Sequence, residues 1–252
     1  MLAFCLLKMN YTALGFFILF ALIFIGLMAM YIYSFKLKRK AKNSVGKFSH
    51  DLKSALDGLS TVENKLSFLK NTERRILNEK KYEKNPEGRK MLLSKVYQHE
   101  ASVLFQANRL KEAVKSCSRV LEVEPSHVQT YLNRGSLYGE LGKYEQAIAD
   151  FNQVELIDSQ NPNVYNNRGW MYLQLGECEK ALSDFDYAIS LHPTDVEYYN
   201  RANTYQSLGE WAKALSDFQM SLSLNKEGNA ELRPLIEAGI AEMGNKLQNS
   251  SN

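Results

Sequence analysis

The side chains in this sequence that could do chemistry are of two kinds, scattered and recurring. Cys5, Cys117 and Cys178 form no CxxC pair, and His50, His99, His127 and His192 lack the i, i+4 spacing or acidic companions of a metal site. The sequence has no glycine-rich phosphate loop, no serine nucleophile elbow and no paired catalytic carboxylates. This pattern points away from an enzyme and implies neither cofactor nor metal. The recurring residues are Asp150, Asp184 and Asp217, then Arg134, Arg168 and Arg201, then Asn133, Asn167 and Asn200. A residue present once per repeat cannot readily converge with its copies on one reaction centre. The carboxylates therefore read as solvated groups or as ion-pair partners within each repeat, and the arginines as partly buried and paired. The amides have another use. A primary amide both donates and accepts, so it can hold a peptide backbone with little regard to sequence, or bond to neighbouring side chains.

These residues must be positioned by elements that also recur. The stretch 128–228 repeats itself at intervals of 34 and then 33 residues: Tyr131, Tyr165 and Tyr198; Gly135, Gly169 and Ala202; Gly142, Gly176 and Gly209; Ala147, Ala181 and Ala214; Phe151, Phe185 and Phe218. Such a period predicts a stacked array rather than a closed globule. Gly142, Gly176 and Gly209 stand where a first helix has to end, since glycine accepts the left-handed conformation there. One period earlier a worn copy is visible, with Ala101, Asn108, Ala113, Cys117 and Pro125 in the places of Gly135, Gly142, Ala147, Phe151 and Ser159.

Small residue, tyrosine, glycine, alanine and phenylalanine in that order, with Pro193 closing one copy, resemble the tetratricopeptide repeat. The resemblance implies an all-α fold, an α-solenoid of about four helix-turn-helix units at 94–127 (degenerate), 128–161, 162–194 and 195–228. It also implies that the first helix of each unit lines a concave groove holding an extended peptide or a helix of a partner protein. Asn133, Asn167 and Asn200 face that groove in such an arrangement. Helical spacing adds Gln129, Leu132 and Ser136, then Asn166, Trp170 and Gln174, then Tyr199, Asn203 and Gln206. One branch of the family grips the C-terminal carboxylate of chaperones. Gln98, Ser102, Asn163 and Asn167 stand where that clamp needs other residues and only Asn133 fits, so no strong chaperone-tail binding is expected.

The remaining chain surrounds the array. Residues 11–35 carry no charge, and the apolar run is long enough to cross a bilayer of about 30 Å at about 1.5 Å per residue. A transmembrane helix at about 12–34, within an N-terminal segment 1–35, is the expectation. A cleaved leader is the alternative, although the run exceeds a signal core and no small-x-small site follows it. Lys8 alone precedes the run, while the basic juxtamembrane segment 36–47 holds Lys36, Lys38, Arg39, Lys40, Lys42 and Lys47. By the positive-inside tendency the C-terminal bulk is cytoplasmic. Removing those seven N-terminal charges from the formal net +3 leaves −4 for residues 48–252, which argues against a nucleic-acid reader.

Residues 45–77 show a heptad, with Val45, Leu52, Leu59 and Leu66 at one seam position and Phe48, Ala55, Val62, Leu69 and Ile76 at the other, broken at Glu73. This predicts a coiled-coil stalk, a possible homo-oligomer contact. The competing prediction is an amphipathic helix or hairpin folded back on the first unit, with Leu56 and Leu77 widening its apolar face. Residues 78–93 read as hinge and lead-in, 229–245 as a capping helix, and the tail after it as disordered. The expected function is that of a membrane-anchored scaffold for protein-protein interaction. Its alternatives are a self-assembling structural protein, or a secreted or periplasmic repeat protein if the leader is cleaved.

Overall fold

The computed structural model of the chain describes residues 24, 27–28, 30–36, 39, 42–83, 85–225 and 230–250. The expected membrane-spanning run lies largely outside them. Among the described residues no helix is long and apolar enough to cross a membrane.

Helices make up the whole architecture of the described residues. A first helix, α1, occupies residues 42–57 and breaks at Gly58. It is followed by α2 (Val62–Asn78), the short α3 (Lys80–Glu83) and α4 (Pro86–Gln106). Then come α5 (Leu110–Val123), α6 (Val128–Glu140), α7 (Tyr144–Ile157), α8 (Pro162–Gln174), α9 (Cys178–Leu191), α10 (Asp195–Ser207), α11 (Trp211–Leu224) and α12 (Leu232–Ser250). Four hairpins stack in order: α4 with α5, α6 with α7, α8 with α9, and α10 with α11. The first helices α6, α8 and α10 also touch one another in a row.

Each turn between paired helices is set by one residue. Gly142, Gly176 and Gly209 have φ of 69°, 75° and 75°, and in the worn first unit Asn108 does the same work at φ 56°. Asparagine is the residue best able to replace glycine there. The approach of the paired helices is set by a second position. A Cβ on Gly135 would lie 2.7 Å from the Phe151 ring, and one on Gly169 would lie 2.8 Å from Phe185. Both phenylalanines are fully buried. Phe218 meets Ala202 in the fourth unit's core and, from the other side, the missing Cβ of Gly239 on α12 at 2.8 Å. Leu232, Ile236 and Met243 complete that contact, so α12 covers the open face of the array.

Three sequence expectations need correction. Val45, Leu52, Leu56, Leu69 and Ile76 bury themselves in one cluster with Leu92, Leu93, Val96, Tyr97 and Val120. The apolar seam is therefore spent on α4 and α5, and the stalk gives way to a folded-back hairpin. Gly58 ends the first arm, and Thr61 caps the second by accepting from the Asn64 N–H at 3.2 Å. Glu73, the break in the heptad, pairs with Arg119 of α5 and accepts from the Tyr97 hydroxyl at 3.1 Å. The expected hinge is also largely helical. Pro86 sits in the first turn of α4, where its missing N–H costs nothing, and Asn85 caps the helix by accepting from the Gly88 N–H at 2.9 Å. Finally, α12 continues past residue 245 to Ser250, where a disordered tail was expected.

Candidate functional site

The inner row of first helices is held in register by buried ion pairs. Arg134 on α6 forks onto Asp150 on α7 at 2.8 and 2.7 Å, Arg168 onto Asp184 at 2.8 Å twice, and Arg201 onto Asp217 at 2.7 and 2.8 Å. Each guanidinium then uses a further N–H on the second helix of the preceding unit. Arg134 reaches Ser118 at 2.9 Å, Arg168 reaches Asn152 at 2.7 Å and Arg201 reaches Asp186 at 2.6 Å. One arginine per unit thus closes its own hairpin and fastens it to its neighbour, a use for which a planar five-donor fork is suited. Its bonds to Asp184 strengthen the basicity of Arg168. Burial pushes the Asp184 carboxyl up, against the opposing pull of Arg168. The first unit reverses the signs: Glu100 stands one period before Arg134, and accepts from the Ser116 hydroxyl at 2.9 Å and from Arg119 at 3.0 Å.

With the row fixed, a cleft of about 280 Å³ opens between α4 and α6. Ala101, Phe105, Cys117, Val120 and Leu137 supply its apolar wall, Gln98, Ser102, His127, Gln129, Thr130, Asn133 and Ser136 its polar edge, and Glu140 a carboxylate at one end. Phe105 is 51% exposed although it is a large aromatic, which makes it the available apolar surface of the site. Burial pushes the Cys117 thiol up to about 11, so it contributes to the wall as a protonated, apolar group. His127 caps α6, its Nδ1 accepting from the Thr130 N–H at 3.2 Å.

The twelve residues expected to line the groove divide. Gln129, Asn133 and Ser136 lie together at the cleft, all exposed, with Gln129 Nε2 donating to Asn133 Oδ1 at 2.9 Å. Leu132 is not among them, because it points into the second unit's core. On α8, Trp170 and Gln174 are exposed, and Asn166 and Asn167 half-buried. On α10 the expectation gives way: Asn200 is buried, and its Nδ2 donates to Asn166 Oδ1 at 2.9 Å. That amide is used across the stack, as the alternative of bonds to neighbouring side chains expects. Tyr199 packs on Phe218 with ring centroids 5.8 Å apart, Asn203 is half-buried, and Gln206 donates to Glu242 of α12 at 3.2 Å. Sequence reasoning missed Phe105 and His99. Counting back one period from Asn133 arrives at His99, so the same arithmetic that found the worn unit could have found it.

This geometry, paired helices stacked about a continuous inner row, defines an α-solenoid. Models of the tetratricopeptide repeat match residues 94–127, 162–195 and 196–227, and a related repeat model matches 135–176. Together the matches span about half of the chain, which belongs to the tetratricopeptide-repeat family. A tetratricopeptide repeat protein from Parabacteroides merdae is 19% identical, with a TM-score of 0.63 over 84% of this chain and 75% of that one. A thermophilic protein of this type from Thermus thermophilus is 18% identical, with a TM-score of 0.53 over 69% and 99%. PilF of Pseudomonas aeruginosa is 19% identical, with a TM-score of 0.55 over 64% and 71%. At these identities the likeness is one of fold. No curated protein matches the sequence.

Proposed function

We propose that the protein is a membrane-tethered scaffold that binds a peptide segment of a partner protein along its inner row of helices, a binding role rather than a catalytic one. The observation that carries this reading is the cleft between α4 and α6, an apolar pocket of side-chain size with amides at its edge. An aliphatic or aromatic side chain of the ligand enters beside Phe105. Gln129 and Asn133 then bond to its backbone, which gives affinity with modest sequence demand. The tether is the uncharged run at 12–34, and the basic segment after it sets the array on the cytoplasmic side.

Selection of a phage-displayed random dodecapeptide library on the full-length protein in non-ionic detergent tests the site. The wild-type protein and Leu156→Asp, a change at an exposed position outside the cleft, should enrich peptides with a large apolar residue, and Phe105→Asp should not. Enrichment unaffected by Phe105→Asp overturns the reading. Alkaline extraction tests the tether: the intact chain should stay with membranes, and a chain lacking residues 12–34 should leave them.

A further inference from the structure

A second cleft lies on the other side of α4. Ser49, Lys53, Leu56 and Asp57 of α1, Lys65 of α2, and Gln98, His99, Ser102, Val103 and Gln106 of α4 line it. Gln98 and Ser102 belong to both clefts, so α4 is a shared ridge between them. The inner row thus does not begin with the first repeat. It begins with α1, which lies against α4 through Leu52 and Leu56.

The chemistry changes across that ridge. Where α6 presents Gln129 and Asn133, the same steps one period earlier on α4 hold Lys95 and His99. Lys53 and Lys65 face His99 from the hairpin, with Asp57 the one carboxylate lining the cleft among the described residues. Lys95 donates to Gln98 at 3.0 Å, which keeps its ammonium beside the ridge. Burial, then Lys95 and Lys53, holds the His99 ring below its ordinary value, as expected where positive charge is in excess. Within the repeats the groove has Glu140 at the first cleft and Lys95 beside the second, and the hairpin adds Lys53 and Lys65, which makes that end cationic.

We infer that the hairpin of α1 and α2 extends the peptide groove by one element and makes it select ligands that carry acidic residues on one side of an apolar anchor. The anchor sits between α4 and α6, and the carboxylates lie over Lys53, Lys65 and Lys95. A peptide fits better than a lipid surface, because the positive charge lines a recess that shares Gln98 and Ser102 with an apolar pocket. The inference rests on the groove reading above.

The same peptide selection tests it. On the wild-type protein the enriched peptides should carry Asp or Glu flanking the apolar residue on one side only. Lys53→Glu/Lys65→Glu should remove that bias while retaining the apolar preference. A synthetic peptide from the enriched set should bind this variant about tenfold more weakly at low salt and lose the difference as salt rises. Enriched peptides without acidic bias, or a bias that survives the lysine exchange, overturn the extension and leave the groove reading standing. Selection indifferent to Phe105→Asp, or no enrichment at all, overturns both. Amine acetylation in nanodiscs supplies the lipid arm. Protection of Lys53 and Lys65 by phosphatidylserine without peptide assigns them to a membrane surface and overturns the inference, and protection by the peptide in phosphatidylcholine supports it.

Discussion

Individual residues in this fold do two separable jobs, bending the chain and stitching it. At Gly176, where φ is 75° and a Cβ would meet open space, Gly176→Ala isolates the backbone cost. It should destabilise the protein by about 1 kcal/mol in urea titrations, and Asn108→Gly should stabilise it slightly. The stitching residues have larger effects. Arg168→Met leaves the Asp184 carboxylate buried without its partner and should cost about 3–5 kcal/mol. Arg168→Met/Asp184→Leu should cost less than the two single changes together, as a double-mutant cycle would read. The pairing of these residues was legible in the sequence because the arginine and the aspartate recur once in each of the second to fourth units. The turning of Asn200 toward Asn166 was not, because it depends on how closely α8 and α10 approach, a distance that no local pattern encodes.

At the scale of elements, the instructive case is the hairpin. A heptad and the stripe of an ordinary amphipathic helix share most of their positions, so periodicity alone could not say which partner takes the apolar face. The deciding residues were neighbours: the heptad places Ala55 at the seam, but Ala55 is exposed and Leu56 is buried. Leu69→Ala distinguishes the outcomes. In a hairpin packed on α4 it should lower the melting temperature by removing about 2–5 kcal/mol, with no dependence on protein concentration. An oligomeric stalk would show that dependence. The contact between α1 and α4 should also respond to acid. His99 has a folded pKa below the ordinary 6.5, so its neutral ring favours the folded state. The corresponding stability is complete above that value and is lost as pH falls through the lowered one. Urea titrations at about pH 7.5 and about pH 5 should show this loss, and His99→Gln should shrink it.

The whole molecule is a row in which each unit touches only its neighbours, so its ends need covers. The carboxyl-terminal cover was readable from the spacing of Leu232, Ile236, Ile240 and Met243, while the amino-terminal one was the second of two readings of residues 45–77. A chain ending at Asn225 loses the partners of Phe218, each worth about 2 kcal/mol when buried. It should bind an apolar dye, and hydrogen exchange should show the fourth unit opening before the second.

The inverted ion pair of the first unit bears on how such an array could have grown. Spliced after the second unit, Glu100 would take the place of Arg168 and meet Glu155 and Asn152, acid against acid. Tandem duplication or unequal crossing-over is therefore open to the interior modules, whose signs agree. The leading module is bound to its hairpin by Glu73 and Arg119, so a duplicated copy of it would have to carry the hairpin along.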